Sequence, residues 1–198
     1  MHGLICKTLE EFVIDQHGPQ IWSQIRRDAD APYGRFEALR NYDAALMLRL
    51  MDASGERLNR PIMVIFEDIG HWICTHPPLE QVRRLIRFSG RTFVDLLYSL
   101  DELHDRARMA LPGIDLPHFE IAEPDPGIFH VTSRWSFPGA GAVLTGSLRA
   151  MADDYGALVL IDADRSRPKG DGWTDQVTVQ VIEHAFHAPR EFTLGGVT

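Results

Sequence analysis

Cysteine is almost missing from this chain: Cys6 and Cys74 are the only two in 198 residues, and neither belongs to a Cys-x-x-Cys. A disulfide framework is therefore excluded. Positive charge is also sparse, with 20 Lys and Arg against 28 Asp and Glu for a formal net charge of −8, and the basic residues are scattered. Nucleic acid and membrane surfaces both call for clustered Lys and Arg, so neither is expected as a partner. No apolar run approaches the ~18 residues of a spanning helix. Charge arrives at Lys7 and Glu10, too early for the apolar stretch of a secretory leader, and the chain is expected to be cytoplasmic. G-x-S-x-G, H-E-x-x-H and P-loop patterns do not occur, so nothing local supports an enzyme of the hydrolase or nucleotide-hydrolysing kind.

What the chain has is ordinary globular usage, 44% hydrophobic and 24% charged residues. A chain of this length buries ~70% of its unfolded surface and needs no disulfide or metal staple. The first half has helical spacing. Leu4, Ile5, Thr8, Leu9, Phe12 and Val13 predict one helix, and His17-Gly18-Pro19 ends it and opens a second through Arg27. Residues 43 to 53 predict a third, Pro61 starts a fourth through about Trp72, and Leu79 to Phe88 reads as helical as well. Arg91 to Leu111 is the best helix, with Phe93, Leu97, Leu100, His104 and Ala107 on one face. After Pro112-Gly113 the period changes to strands at His118 to Ala122, Gly127 to Trp135, Ala157 to Ala163 and Asp175 to Ala185, with a helix from about Gly141 to Tyr155 among them. The polar stretch Arg165 to Asp171 reads as a hairpin loop. Helices first and then a sheet with one packed helix is an α+β layout, taken here as one domain over residues 1–190 with a flexible tail over 191–198.

Three places invite chemistry. His104 lies on the apolar stripe of the long helix, where a ring nitrogen without a partner costs free energy. Position alone favours a buried histidine bonded to a carbonyl; the sharper alternative is a metal ligand, since neutral imidazole binds iron. In the strand from Gly127, period 2 puts His130, Thr132 and Arg134 on one face and Phe129, Val131 and Trp135 on the other. An arginine fork beside two short donors suits a carboxylate or phosphate; the plain alternative is the solvated face of an edge strand. Gly139, Gly141 and Gly146 lack dinucleotide-fingerprint spacing and read instead as small residues that let backbones approach. His71, Cys74 and His76 form H-x2-C-x-H, a zinc pattern too weak to outrank incidental histidines at a helix end.

The segment FVDLLYSLDELHDRARMALPGIDLPHF, residues 93 to 119, resembles the proximal-histidine helix and following turn of the H-NOX (haem nitric oxide/oxygen binding) family. MHGLICKTLEEFVIDQHGPQIW at the start is similar to the opening of the haem domain of the soluble guanylate cyclase beta subunit. The family's axial histidine sits in L-[DE]-x-[LV]-H, matched by Leu100-Asp101-Glu102-Leu103-His104, and Pro117 stands thirteen residues on, where the family has a proline against the haem. The family's Y-x-S-x-R propionate signature falls on His130, Thr132 and Arg134, of which only the arginine is retained. Asp43 matches a family aspartate that braces that arginine.

The resemblance implies a haem-based gas sensor: haem b, with His104 as the one protein ligand to iron and Pro117, His130, Thr132 and Arg134 around the cofactor. It also implies that a gas bound opposite His104 weakens that bond and frees the long helix to move. Output would pass to a separate partner, a histidine kinase or a diguanylate cyclase. Oxygen-binding members place a tyrosine on the helix after the propionate signature, whereas Gly139 to Leu144 contain no hydroxyl and the remaining distal positions, Ile5, Leu9 and Ile73, are apolar. Nitric oxide and carbon monoxide are thus the expected ligands, with discrimination against oxygen. Two alternatives stay open at this point: a haem-free module holding another anionic ligand at Arg134, and a zinc enzyme using His71, Cys74 and His76.

Overall fold

The computed structural model describes residues 3–79, 83, 86, 87, 90–110 and 115–189. Four helices come first: α1 (Gly3–His17), α2 (Pro19–Asp28), α3 (Ala44–Leu58) and α4 (Ile62–Thr75). Their ends follow from local chemistry. Gly18 at φ 88° breaks α1 from α2, and Pro19 occupies the first turn of α2, where its missing N–H costs nothing. Asp43 caps α3 by accepting from the Ala45 N–H at 3.0 Å, and Asn59 ends it in the left-handed region. The expected helix over Leu79 to Phe88 falls for the most part outside the described residues.

The helix expected over Arg91 to Leu111 is two pieces, α5 (Phe93–Tyr98) and α6 (Leu103–Ala110). The start is strong, since Thr92 and Asp95 form a reciprocal capping box. The break comes at Ser99, whose hydroxyl donates to the Leu96 carbonyl at 2.8 Å. Beyond it the bonds tighten to three residues, Leu100 N–H to Leu97 O and Leu103 N–H to Leu100 O, both 3.2 Å. The turn brings Leu97 and Leu100 into the core, so burial outweighs the continuity that the apolar stripe suggested.

The second half is a five-stranded antiparallel sheet: β1 (His118–Asp125), β2 (Ile128–Trp135), β3 (Leu158–Ala163), β4 (Arg167–Lys169) and β5 (Gly172–Glu183). The order is β1-β2-β5-β3, with β4 also on β5. Two expectations change here. β2 is an interior strand, paired on both sides, so the edge position expected in the plain alternative falls, while the face itself stays open, with Arg134 exposed and His130 and Thr132 half-buried. The 165–171 loop contains β4, because Arg167, Pro168 and Lys169 pair with Thr174, Trp173 and Gly172 across a Gly170-Asp171 turn. β1 runs past Ala122 through a register shift, with Pro124 tolerated because β1 is an edge.

Between the halves lies α7 (Ala140–Tyr155). One side rests on the inner face of the sheet, where Leu144, Leu148 and Met151 share a cluster with Phe129, Val131, Val177 and Val179. The other meets α4 so closely that side chains are excluded: a Cβ on Gly70 would lie 1.9 Å from the Val143 carbonyl oxygen, and one on Gly146 would lie 1.8 Å from that of Glu67. The glycines admit close backbone approach, as their small size suggests. A second apolar cluster fills the helical half around Leu9, Phe12, Trp22, Leu50 and Ile65, and takes Trp135 and Phe137 from the sheet end. Gly146→Ala is expected to separate the two helices and destabilise the fold by about 1–3 kcal/mol, the usual cost of overpacking, read as a lower urea midpoint at unchanged slope.

Candidate functional site

His104 is the second residue of α6 and is 7% exposed. Its Nδ1 lies 3.0 Å from the Leu116 carbonyl oxygen. A carbonyl can only accept, so Nδ1 carries the hydrogen, and in the neutral ring Nε2 keeps its lone pair. That is the arrangement by which a second contact fixes the tautomer of a metal-binding imidazole. Against its face lies the ring of His118, centroids 3.4 Å apart and planes 25° apart. Partial burial and then the neighbouring His104 hold His118 below the usual histidine range.

His118 opens β1 and stands opposite Arg134 of β2 in the register, while Glu120 stands opposite Thr132 and Ala122 opposite His130. Period 2 therefore sorts β2 as expected: Phe129 and Val131 are buried, and His130, Thr132 and Arg134 lie on the other face. Arg134 is well exposed and its guanidinium is engaged. Nη1 lies 3.0 Å from one oxygen of Glu120 and Nη2 donates to the other at 3.1 Å. This two-pronged pair was absent from the sequence reading. Its signal was present, because a strand through His118 puts Glu120 on the same face, one pair along from Arg134.

Ser133 was also missed. It is 1% exposed and donates to the buried Asp175 carboxylate at 3.0 Å, which in turn accepts from Ser166. Ser166 accepts from the Gly139 N–H at 3.0 Å. This chain of bonds ties β2, β5 and the loop before β4 to the start of α7. The hydroxyl beside Arg134 in sequence is thus structural, and the one on the arginine's face is Thr132.

The remaining expected positions gather elsewhere. Leu9 is fully buried, and Ile5 and Ile73 pack against the same helical cluster, as do Ala142 and Val143 of α7. Pro117 is half-buried between Leu116 and His118. Asp43 is occupied with its helix cap. The zinc alternative loses its geometry: Cys74 is buried with its thiol pushed up to about 11 by desolvation, and His76 stacks on Trp72 and faces Asp15. Among the described residues no three His, Cys, Asp or Glu are grouped to hold a metal ion, and no helix is long and apolar enough to cross a membrane. The chemistry at His104 fits a haem iron, which would be held by one imidazole whose Nδ1 is tied to a carbonyl.

A family model described as Haem-NO-binding matches residues 2–161. The chain belongs to that family. Members of the Haem-NO-binding family, the H-NOX domains, bind haem and sense gases. Similar curated proteins include soluble guanylate cyclase 89Da of Drosophila melanogaster, 22% identical over 80% of this chain and 24% of that protein. Soluble guanylate cyclase gcy-31 of Caenorhabditis elegans is 24% identical over 60% of this chain and 17% of its own length. The chain thus spans about a quarter or less of the curated relatives it matches. Among solved structures, an H-NOX protein from S. oneidensis in the Fe(II)NO ligation state is 19% identical, with TM-score 0.72 over 91% of this chain and 99% of that one. An oxygen binding H-NOX domain related to soluble guanylate cyclases is 14% identical, with TM-score 0.67 over 96% of this chain and all of that one. These likenesses establish the H-NOX fold, helical half, sheet and packed helix together.

Proposed function

We propose that this chain is a haem-based sensor of nitric oxide, a single haem domain over residues 1–190 that acts in the cytoplasm and signals through a partner rather than by catalysis of its own. The observation that carries the reading is His104: a buried imidazole with Nδ1 tied to a carbonyl and Nε2 left with its lone pair. Haem held here would supply a ferrous iron able to take up a gas. His104 would hold the metal, Pro117 would lie beside the haem, and Arg134 with Thr132 and His130 would offer charge and donors to the propionates. His104 sits on the eight-residue α6, set off from α5 by the Ser99 turn. A displacement of its ring is therefore handed to a short helix and not to a rigid rod from Phe93 to Ala110. The partner is a histidine kinase or a diguanylate cyclase.

Selectivity for nitric oxide and carbon monoxide over oxygen follows from the distal set. Oxygen would be retained better where a hydrogen-bond donor meets it, and Ile5, Leu9 and Ile73 offer none. Of the polar groups nearest to them in sequence, Thr8, Trp72 and Cys6, the first two are committed elsewhere and the Cys6 thiol is at most a weak donor. Thr8 donates to the Leu4 carbonyl at 2.9 Å and the Trp72 indole donates to Asp15 at 2.9 Å. Tyr155, at the end of α7, spends its hydroxyl on Arg87 and Gly90 carbonyls.

The exposed Arg134–Glu120 pair favours one competing reading, a haem-free module in which Arg134 takes a smaller anion from solution. A Soret band after haem reconstitution supports the sensor; its absence supports the module.

His104→Gly should retain haem only when imidazole is added; a Soret and visible spectrum equal to wild type without imidazole removes His104 from the iron. Arg134 and Glu120 should act in opposite directions on haem transfer to apomyoglobin. Losing a charge-assisted bond worth roughly 1.5–3 kcal/mol makes Arg134→Ala release haem about tenfold to a hundredfold faster. Glu120→Gln frees the fork from an exposed pair worth about 0–1 kcal/mol, so release slows by no more than about fivefold. Finally, the reduced protein opened to air should give no stable oxy spectrum, and a persistent oxy complex would mean a distal donor outside this set.

A further inference from the structure

The segment Leu116–His118 meets the His104 ring from two directions. The Leu116 carbonyl accepts from Nδ1 at 3.0 Å, in the ring plane. The His118 ring covers the face, with centroids 3.4 Å apart. An in-plane hydrogen bond by itself lets an imidazole rock about the N–H···O axis, and a flat ring against the face removes that freedom. The face contact is well anchored. Pro117 fixes φ between the two contacts, and His118 is the first residue of β1, held by the sheet register opposite Arg134.

Two roles are open to an imidazole so close to an axial one, and the geometry separates them. Rings 25° from parallel with centroids 3.4 Å apart have no common in-plane point within the ~2 Å bonding reach of both. His118 therefore does not share a metal ion with His104. We propose that His118 is a positioning residue: its ring fixes the rotation of the His104 imidazole about the axis through Nε2, and so sets which way that ring lies across the iron it binds. The proposal rests on the reading of His104 as the axial ligand. Ordinary partners of a metal-binding histidine act through the second nitrogen; here that place belongs to Leu116, and His118 adds control through the ring face.

The test compares His118→Ala with His118→Phe in the full chain, the second keeping a flat ring and removing both nitrogens. In the haem-free protein, NMR of labelled histidine should show the His104 ring protons displaced upfield by the stacked ring, a displacement lost in His118→Ala and kept in His118→Phe. In the haem-loaded ferrous protein, resonance Raman should show the iron–histidine band moved and broadened in His118→Ala and returned to the wild-type position in His118→Phe. A His118→Ala band equal to wild type in position and width overturns the proposal, as do His104 proton shifts indifferent to His118. If the wild type takes up no haem, the axial reading fails on its own account, and the haem-free NMR still decides whether His118 orients the ring.

Discussion

The contact between α4 and α7 is the constraint on which the rest of the molecule depends. α4 belongs to the helical half and α7 lies on the sheet, so their packing is the seam that joins the two apolar clusters. With Gly70 against the Val143 carbonyl and Gly146 against that of Glu67, backbone meets backbone and no side chain acts as spacer. A seam built from side chains can absorb a rotamer change, whereas this one is set by the main chain and can only slide or open as a unit. The apolar residues of the helical half, Ile5, Leu9 and Ile73, are thereby placed relative to β1, β2 and α6 by a contact that none of them makes.

The same logic explains what could be read from the chain in advance. The class of every described element except the two three-residue ones, β4 and the 3-10 turn Pro77–Leu79, was visible, because each half has one hydrophobic period and few conflicts. His104 and Arg134 stood out for the same reason, as polar groups at positions whose period assigned them a face. Hidden were the features that depend on a partner far away in sequence. Glu120 pairs with Arg134 across an antiparallel register that periodicity does not supply. Ser133 falls on the buried face by period 2, but its partner Asp175 lies forty-two residues on and is not signalled by that period. The break at Ser99 was masked because Leu97, Leu100 and His104 keep helical spacing through it, and only the three-residue bonds reveal that the chain has tightened.

The family relationship and the local physics bear on different questions. Belonging to the Haem-NO-binding family accounts for the fold and the cofactor class, and at 14–24% identity the matched relatives leave individual side chains to be argued from contacts. The departure at His130 and Thr132 is of that kind. An arginine is a permanent charge with a fixed fork, while a tyrosine hydroxyl is a neutral donor, so its replacement by His130 removes geometry before it removes charge. What remains, one fork and the Thr132 hydroxyl, can still recognise a carboxylate, but it recognises any carboxylate that reaches it, including Glu120.

That competition gives the outer face of the sheet a definite character. Arg134 and Glu120 are both more than half exposed, so their mutual attraction is screened and is worth little. The pairing neutralises the fork while leaving it easy to reclaim. An incoming carboxylate that is itself partly shielded from water gains more from Arg134 than Glu120 does, because the same charges interact more strongly where the local dielectric is lower. His118 lies beside this exchange, opposite Arg134 on one side and flat against His104 on the other. A ligand that draws Arg134 away from Glu120 therefore acts on β1, the strand whose first residue stacks on His104.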